Sequence, residues 1–142
     1  MATRIKIRIS VSEHTVETSA LVNSGYEADD CDIIIPTKLA EKLKLWPHSP
    51  DDTQIVDYET AGGFAKFYRI AKPAEVKAIT QDKETEVVKS NIIIAETEHE
   101  VLISDALSEE LGIELLKLRE GIWRFSHDPK GIVRKSEKRQ QW

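Results

Sequence analysis

Residues 4–11 read Arg-Ile-Lys-Ile-Arg-Ile-Ser-Val, with Ile5, Ile7, Ile9 and Val11 separated by charged or polar residues. Period-two alternation places one residue set on each face of an extended chain, so this stretch is predicted to be a half-buried strand. Similar signals follow. After a turn at residues 12–14, residues 15–18 read as a return strand and 20–22 as a short apolar strand running into Asn23-Ser24-Gly25. Ile33-Ile34-Ile35 is a buried strand stopped by Pro36. Residues 54–60 and 64–70 flank Ala61-Gly62-Gly63 and read as a hairpin. Residues 76–79 and 86–88 form a second pair, and 91–95, 101–103 and 122–125 complete the strands.

Helical signals are few. Thr37 is placed to cap a helix over 37–45, with Leu39 and Leu43 on one face. Ser104 or Asp105 caps a second over 105–111, ended by Gly112. About nine strands and two short helices, with turn signals every 8–12 residues or so, make the predicted class all-β.

With 142 residues the chain is read as one domain over 1–126 and a basic tail over 127–142. The tail carries Lys130, Arg134, Lys135, Lys138 and Arg139 against Asp128 and Glu137, and its expected state is solvated. The formal charge of −5 argues against a general nucleic-acid partner. No apolar run approaches the ~20 residues needed to cross a bilayer. Cys31 is the single cysteine. With no signal-peptide pattern at the N-terminus, the expected setting is cytoplasmic and away from membranes.

Four features occur in a suggestive order: Leu21-Val22-Asn23-Ser24-Gly25 after an apolar strand; Ile33-Ile34-Ile35-Pro36; the Gly-rich hairpin Ala61-Gly62-Gly63-Phe64; and Val101-Leu102-Ile103-Ser104-Asp105 before a short helix. In order and spacing this resembles the retropepsin-like (retroviral-type) aspartic proteases across roughly residues 4–125. The resemblance implies a closed β barrel with a flap hairpin and one active-site loop per subunit. It implies a homodimer, because each chain of that family supplies one catalytic aspartate to a site on the two-fold axis. Two facing carboxylates there share a proton; one activates water as general base while the other donates to the scissile carbonyl. The implied activity is endopeptidase hydrolysis of a peptide or protein substrate, with no cofactor and no metal.

Carried over position by position, Asn23 stands where the family has its catalytic aspartate. Ser24 takes the Thr/Ser position and Gly25 the close-approach glycine. Ala61, Gly62 and Gly63 form the flap tip that reaches bound peptide. Asp29 or Asp30 is implied at the substrate groove, Ile103 on its wall together with Ile33, Ile35 and Phe64, and Asp105 behind the loop. Two positions depart from the pattern. Ser104 replaces a usual glycine, and Asn23 replaces the aspartate. An amide carries no negative charge and shuttles no proton at neutral pH, so cleavage by this chain is expected to be almost nil. Two readings follow: a peptidase disabled at one side chain, to stop self-digestion or trap a substrate, or a natural pseudoprotease that binds peptides.

Other constellations read as ordinary surface. Glu27, Asp29, Asp30 and Asp32 lack calcium-loop spacing. His14, His48, His99 and His127 lack metal-ligand spacing. Cys31 among acids is expected to have little thiolate character, and Trp123 and Phe125 to pack in a core or an interface.

Overall fold

The computed structural model describes residues 2–22, 28–48, 51–60 and 63–142, without the side chains of 58–60 and 64. In chain order the elements are β1 (Arg4–Val11), β2 (His14–Val22), β3 (Asp32–Pro36), α1 (Thr37–Lys42), β4 (Thr53–Thr60), β5 (Gly63–Ile79), β6 (Val88–Ala95), β7 (Val101–Ile103), α2 (Asp105–Glu110), β8 (Ile113–Lys117), β9 (Ile122–Phe125) and β10 (Arg134–Lys135). The fold is mostly β. Strands β1-β2-β7-β3-β6-β5 pair in that order, and β5 pairs back onto β1, closing a six-stranded barrel. β4 hangs outside the ring on β5, and β10-β9-β8 make a separate small sheet.

The alternation seen in the sequence fills the barrel. Ile5, Ile7 and Ile9 of β1 are 0–1% exposed and meet Ile33, Ile35, Ile92, Ile94 and Ile103 from across the ring. Each buried Ile contributes roughly 1.5–3 kcal/mol of transfer free energy. The opposite parity on the same strands forms a second, outer cluster: Ile34, Ile93 and Ala95, with Phe67 and Leu102 packed against it.

Several elements differ from expectation for local reasons. β2 runs unbroken through Ser19, whose residue stays in register with Lys6. β5 is one strand of 17 residues rather than two. Pro73 cannot donate to a ladder, and it falls within the register shift between Ile70 and Ala74, where the strand bends and continues towards β1. The first helix ends at Lys42, since Lys44 takes a left-handed φ of 62°. Its N-cap is Pro36, not Thr37, and no side-chain bond caps it, because the strand's last residue leads straight into the helix. β8 was not foreseen; a bulge between Leu115 and Lys117 spoils its alternation.

The C-terminal segment packs on the barrel instead of extending into solvent. Its Glu137 amide donates to the Arg4 carbonyl (2.7 Å) and the Trp142 amide to the His99 carbonyl (2.8 Å). The Trp142 indole donates to Thr18 Oγ1 (3.0 Å), and the Ser19 amide donates to Gln140 Oε1 (3.1 Å). Upstream, the fully enclosed Asp128 carboxylate accepts from the Phe125 amide (2.8 Å), Arg134 Nε (2.9 Å) and Lys83 Nζ (2.9 Å). Arg134 also pairs with Asp82 and lies over the Phe125 ring, 5.0 Å from its centre. A run that looked like a solvated charge cluster is thus tied down by partners far away in sequence. Among the described residues no helix is long and apolar enough to cross a membrane.

Candidate functional site

β2 and β7 run parallel and side by side, with Val22 opposite Ile103. Both strands therefore end at the same place, Val22 beside Ile103. β3 lies antiparallel on the other side of β7, with Ile33 opposite Ile103, so the chain re-enters the sheet at that same end. Three turns of chain chemistry thus meet: the exit after β2, the entry to β3 and the start of α2.

Ser104 joins them. It is wholly buried, and its hydroxyl accepts from the Leu107 amide (3.2 Å), capping α2, and from the Asp32 amide (3.0 Å). Its own amide donates to the Asp32 carbonyl (3.1 Å), and its carbonyl accepts from the Ser108 hydroxyl (2.8 Å). A hydroxyl has two lone pairs for these two donors, so the departure from glycine here supplies a bond that glycine lacks. Asp105 Oδ1 accepts from the Ala106 amide (2.8 Å) and from the Ala28 amide (3.2 Å). The Asp105 carboxylate therefore anchors the chain just after residues 23–27.

Asn23, Ser24, Gly25, Ala61 and Gly62 lie outside the described residues. Gly63 is exposed, at φ +111°, and pairs with Thr60 at the end of the β4–β5 hairpin. β5 first meets β6 at Phe67 opposite Ala95, so the ribbon from Asp57–Lys66 onward to Thr60–Gly63 projects past β6 as two strands only. Asp29 and Asp30 are exposed, whereas Asp32 is buried and accepts from Asn91 Nδ2 (2.9 Å). Burial, then the nearby Glu110, Asp32 and Asp30, push the Cys31 thiol above its ordinary value, which leaves it a poor nucleophile.

Ile103, together with Ile33 and Ile35, faces the barrel interior and is 0% exposed. That corrects the expectation of a groove wall at these positions: side chains alternate along a strand, and Ile33 opposite Ile103 fixes the inward parity. The other parity forms a second buried cluster, Ile34, Ile93 and Ala95, with Phe67 and Leu102 partly buried against it. Three consecutive isoleucines concealed this, because an all-apolar run has no parity until its partner strands are known. Among the described residues no group of three His, Cys, Asp or Glu side chains is arranged to hold a metal ion. Trp123 and Phe125 are core residues in edge-to-face contact, 4.9 Å between centres.

Comparison with protein-family models and with curated proteins finds no match for the chain.

Proposed function

We propose that this chain is the subunit of a dimeric, retropepsin-like aspartic endopeptidase in which Asn23 occupies the catalytic position. The observation that carries the reading is the parallel pairing of β2 with β7, flanked by β3. It pairs Ala20-Leu21-Val22 with Val101-Leu102-Ile103, the apolar strands that precede, in the sequence, the Asn23-Ser24-Gly25 and Ser104-Asp105 stretches resembling the family's paired signatures. The closed barrel and the projecting β4–β5 ribbon support it. Two copies related by a two-fold axis set their Asn23 side chains face to face. Substrate lies extended between them, adding strand-like backbone bonds.

With aspartate at 23, one carboxylate of the pair takes a proton from water and the other protonates the scissile carbonyl. With asparagine, neither step has its group. The binding surface remains, since the amide is nearly isosteric with the acid. Asn23 itself favours a second reading, a pseudoprotease that captures extended peptides uncut.

The test is Asn23→Asp against a peptide library between pH 3 and 7. The expected result is cleavage by the variant, with an acidic optimum, and none by the Asn23 chain. A folded, dimeric Asn23→Asp protein that cuts nothing would leave the binding reading and remove the enzymatic one.

A further inference from the structure

Three strands stand at the end of a sheet: β4, β8 and β10. β4 carries acids and no base, and β10 is Arg134-Lys135 alone, so a second copy laid antiparallel on either would meet like charges. β8 differs. It carries one acid and one base, Glu114 and Lys117. It also bears exposed large apolar side chains, Leu116 (47% exposed) and, just past its end, Leu118 (61%). An edge strand presents a row of backbone donors and acceptors without ladder partners. The Phe125 amide donates to Asp128, away from β8. Ile113 and Phe125 are therefore a pair without ladder bonds between them, and the backbone groups of Ile113 and Leu115 face the open edge.

The bulge in β8 decides where its charges point. Trp123 and Phe125 of β9 are buried in the core, so Ile122 and Arg124, which alternate with them, point outward. Glu114 stands opposite Arg124 and Lys117 opposite Ile122, and opposed residues share a face. Three residues apart, Glu114 and Lys117 would face opposite ways in a regular strand. The register shift between Leu115 and Lys117 turns both outward. Their pairs within the chain are loose, Glu114 with Arg124 at 3.8 Å and Lys117 with Glu120 at 3.6 Å. Such solvent-exposed pairs contribute little and leave both charges available.

We infer that the free edge of β8 is a self-association surface, and that its occupant is the β8 of a second copy of this chain, antiparallel about a two-fold axis between Leu115 and Leu116. In that register the second copy's Lys117 stands opposite Glu114 and its Glu114 opposite Lys117, so the same contact is made twice. Leu118 comes beside the second copy's Ile113, and the two three-stranded sheets become one. A lysine on an edge ordinarily repels a second copy; here a glutamate is placed to receive it. The inference rests on the two-copy reading above and names the surface that holds the copies together. Only residues 104–112 separate β8 from the end of β7. The C-terminal arm is not free for that contact, since its own barrel holds it.

The experiment is sedimentation equilibrium over a range of concentrations, with circular dichroism as the check on folding. It compares the Asn23 chain, Glu114→Lys, Lys117→Glu, the double variant Glu114→Lys/Lys117→Glu, and an equimolar mixture of the two single variants. Each single variant sets like charges opposite one another twice, and its dimer is expected to weaken about ten-fold. The double variant and the mixture restore opposite charges at both places and are expected to dimerise as the parent chain does. Single variants that dimerise like the parent, a mixture that does not recover, or a parent that stays monomeric throughout each overturns the inference. Cleavage is read separately with Asn23→Asp. Activity alongside dimers indifferent to these charges would keep the enzymatic reading and remove this one. Charge-dependent dimers that cut nothing would do the reverse.

Discussion

At the scale of single residues, the most consequential side chain outside the candidate site is Asp128. Its carboxylate is enclosed and satisfied by a backbone amide, Arg134 and Lys83. The Arg134 bonds, then Lys83 and the Phe125 amide, outweigh burial and hold its pKa well below the usual carboxylate range. A carboxyl group whose folded pKa is depressed stabilises the fold fully above its unfolded value, near pH 4, and loses that contribution as the pH falls further. Asp128→Asn is therefore expected to cost about 3 kcal/mol at neutral pH, the size typical of breaking a buried pair. In urea titrations between pH 7 and 2, the gap between parent and variant narrows only below about pH 4. A constant gap would show that charge is not the source. Nothing local in the sequence reveals this cluster, because Lys83 and Asp82 reach Asp128 and Arg134 only through the tertiary fold. Ser104, by contrast, was legible: a Ser before an apolar helical run is a cap signal, and the structure uses it so.

At the scale of elements, strands with strict alternation were readable and those that switch partners were not. β1 emerges at its expected limits because Ile5, Ile7, Ile9 and Val11 face one core. The sequence suggests separate strands over 64–70 and 76–79, where β5 is one strand that passes Pro73 through a register shift between Ile70 and Ala74. The C-terminal arm was read from charge alone, and its hold on the barrel depends on the apolar residue among those charges. Trp142 is half-buried against the core and bonds Thr18. Trp142→Ala is expected to lower stability by about 2 kcal/mol, less than the 3–5 kcal/mol for a fully buried Trp. In that variant the arm should also become sensitive to limited proteolysis near Arg139. Unchanged cleavage kinetics would mean the arm is held by its backbone bonds alone.

At the scale of the whole molecule, the proposed peptidase site needs two copies, because each chain supplies a single position 23. The proposed peptidase therefore has no monomeric activity. Analytical ultracentrifugation is expected to give twice the 16.1 kDa chain mass. Specific activity of Asn23→Asp should fall on dilution through the dimer dissociation constant. Activity that stays proportional to protein concentration in a strictly monomeric sample would contradict the two-chain site. The sequence carried the barrel's core and the order of the motifs. It did not carry which residues of the isoleucine runs face the barrel interior, since that parity is set by pairings between distant strands.

The parallel neighbours β2 and β7 also have a kinetic meaning. Ala20 pairs with Val101, so three of the six barrel strands, β3, β5 and β6, lie in the loop that this contact closes. Such non-local contacts form late, after their closure entropy has been offset by other pairings. The place where β2 and β7 end side by side cannot exist in a nascent or half-folded chain. A peptide-binding surface built there comes into being only once the chain that carries it is already sheltered.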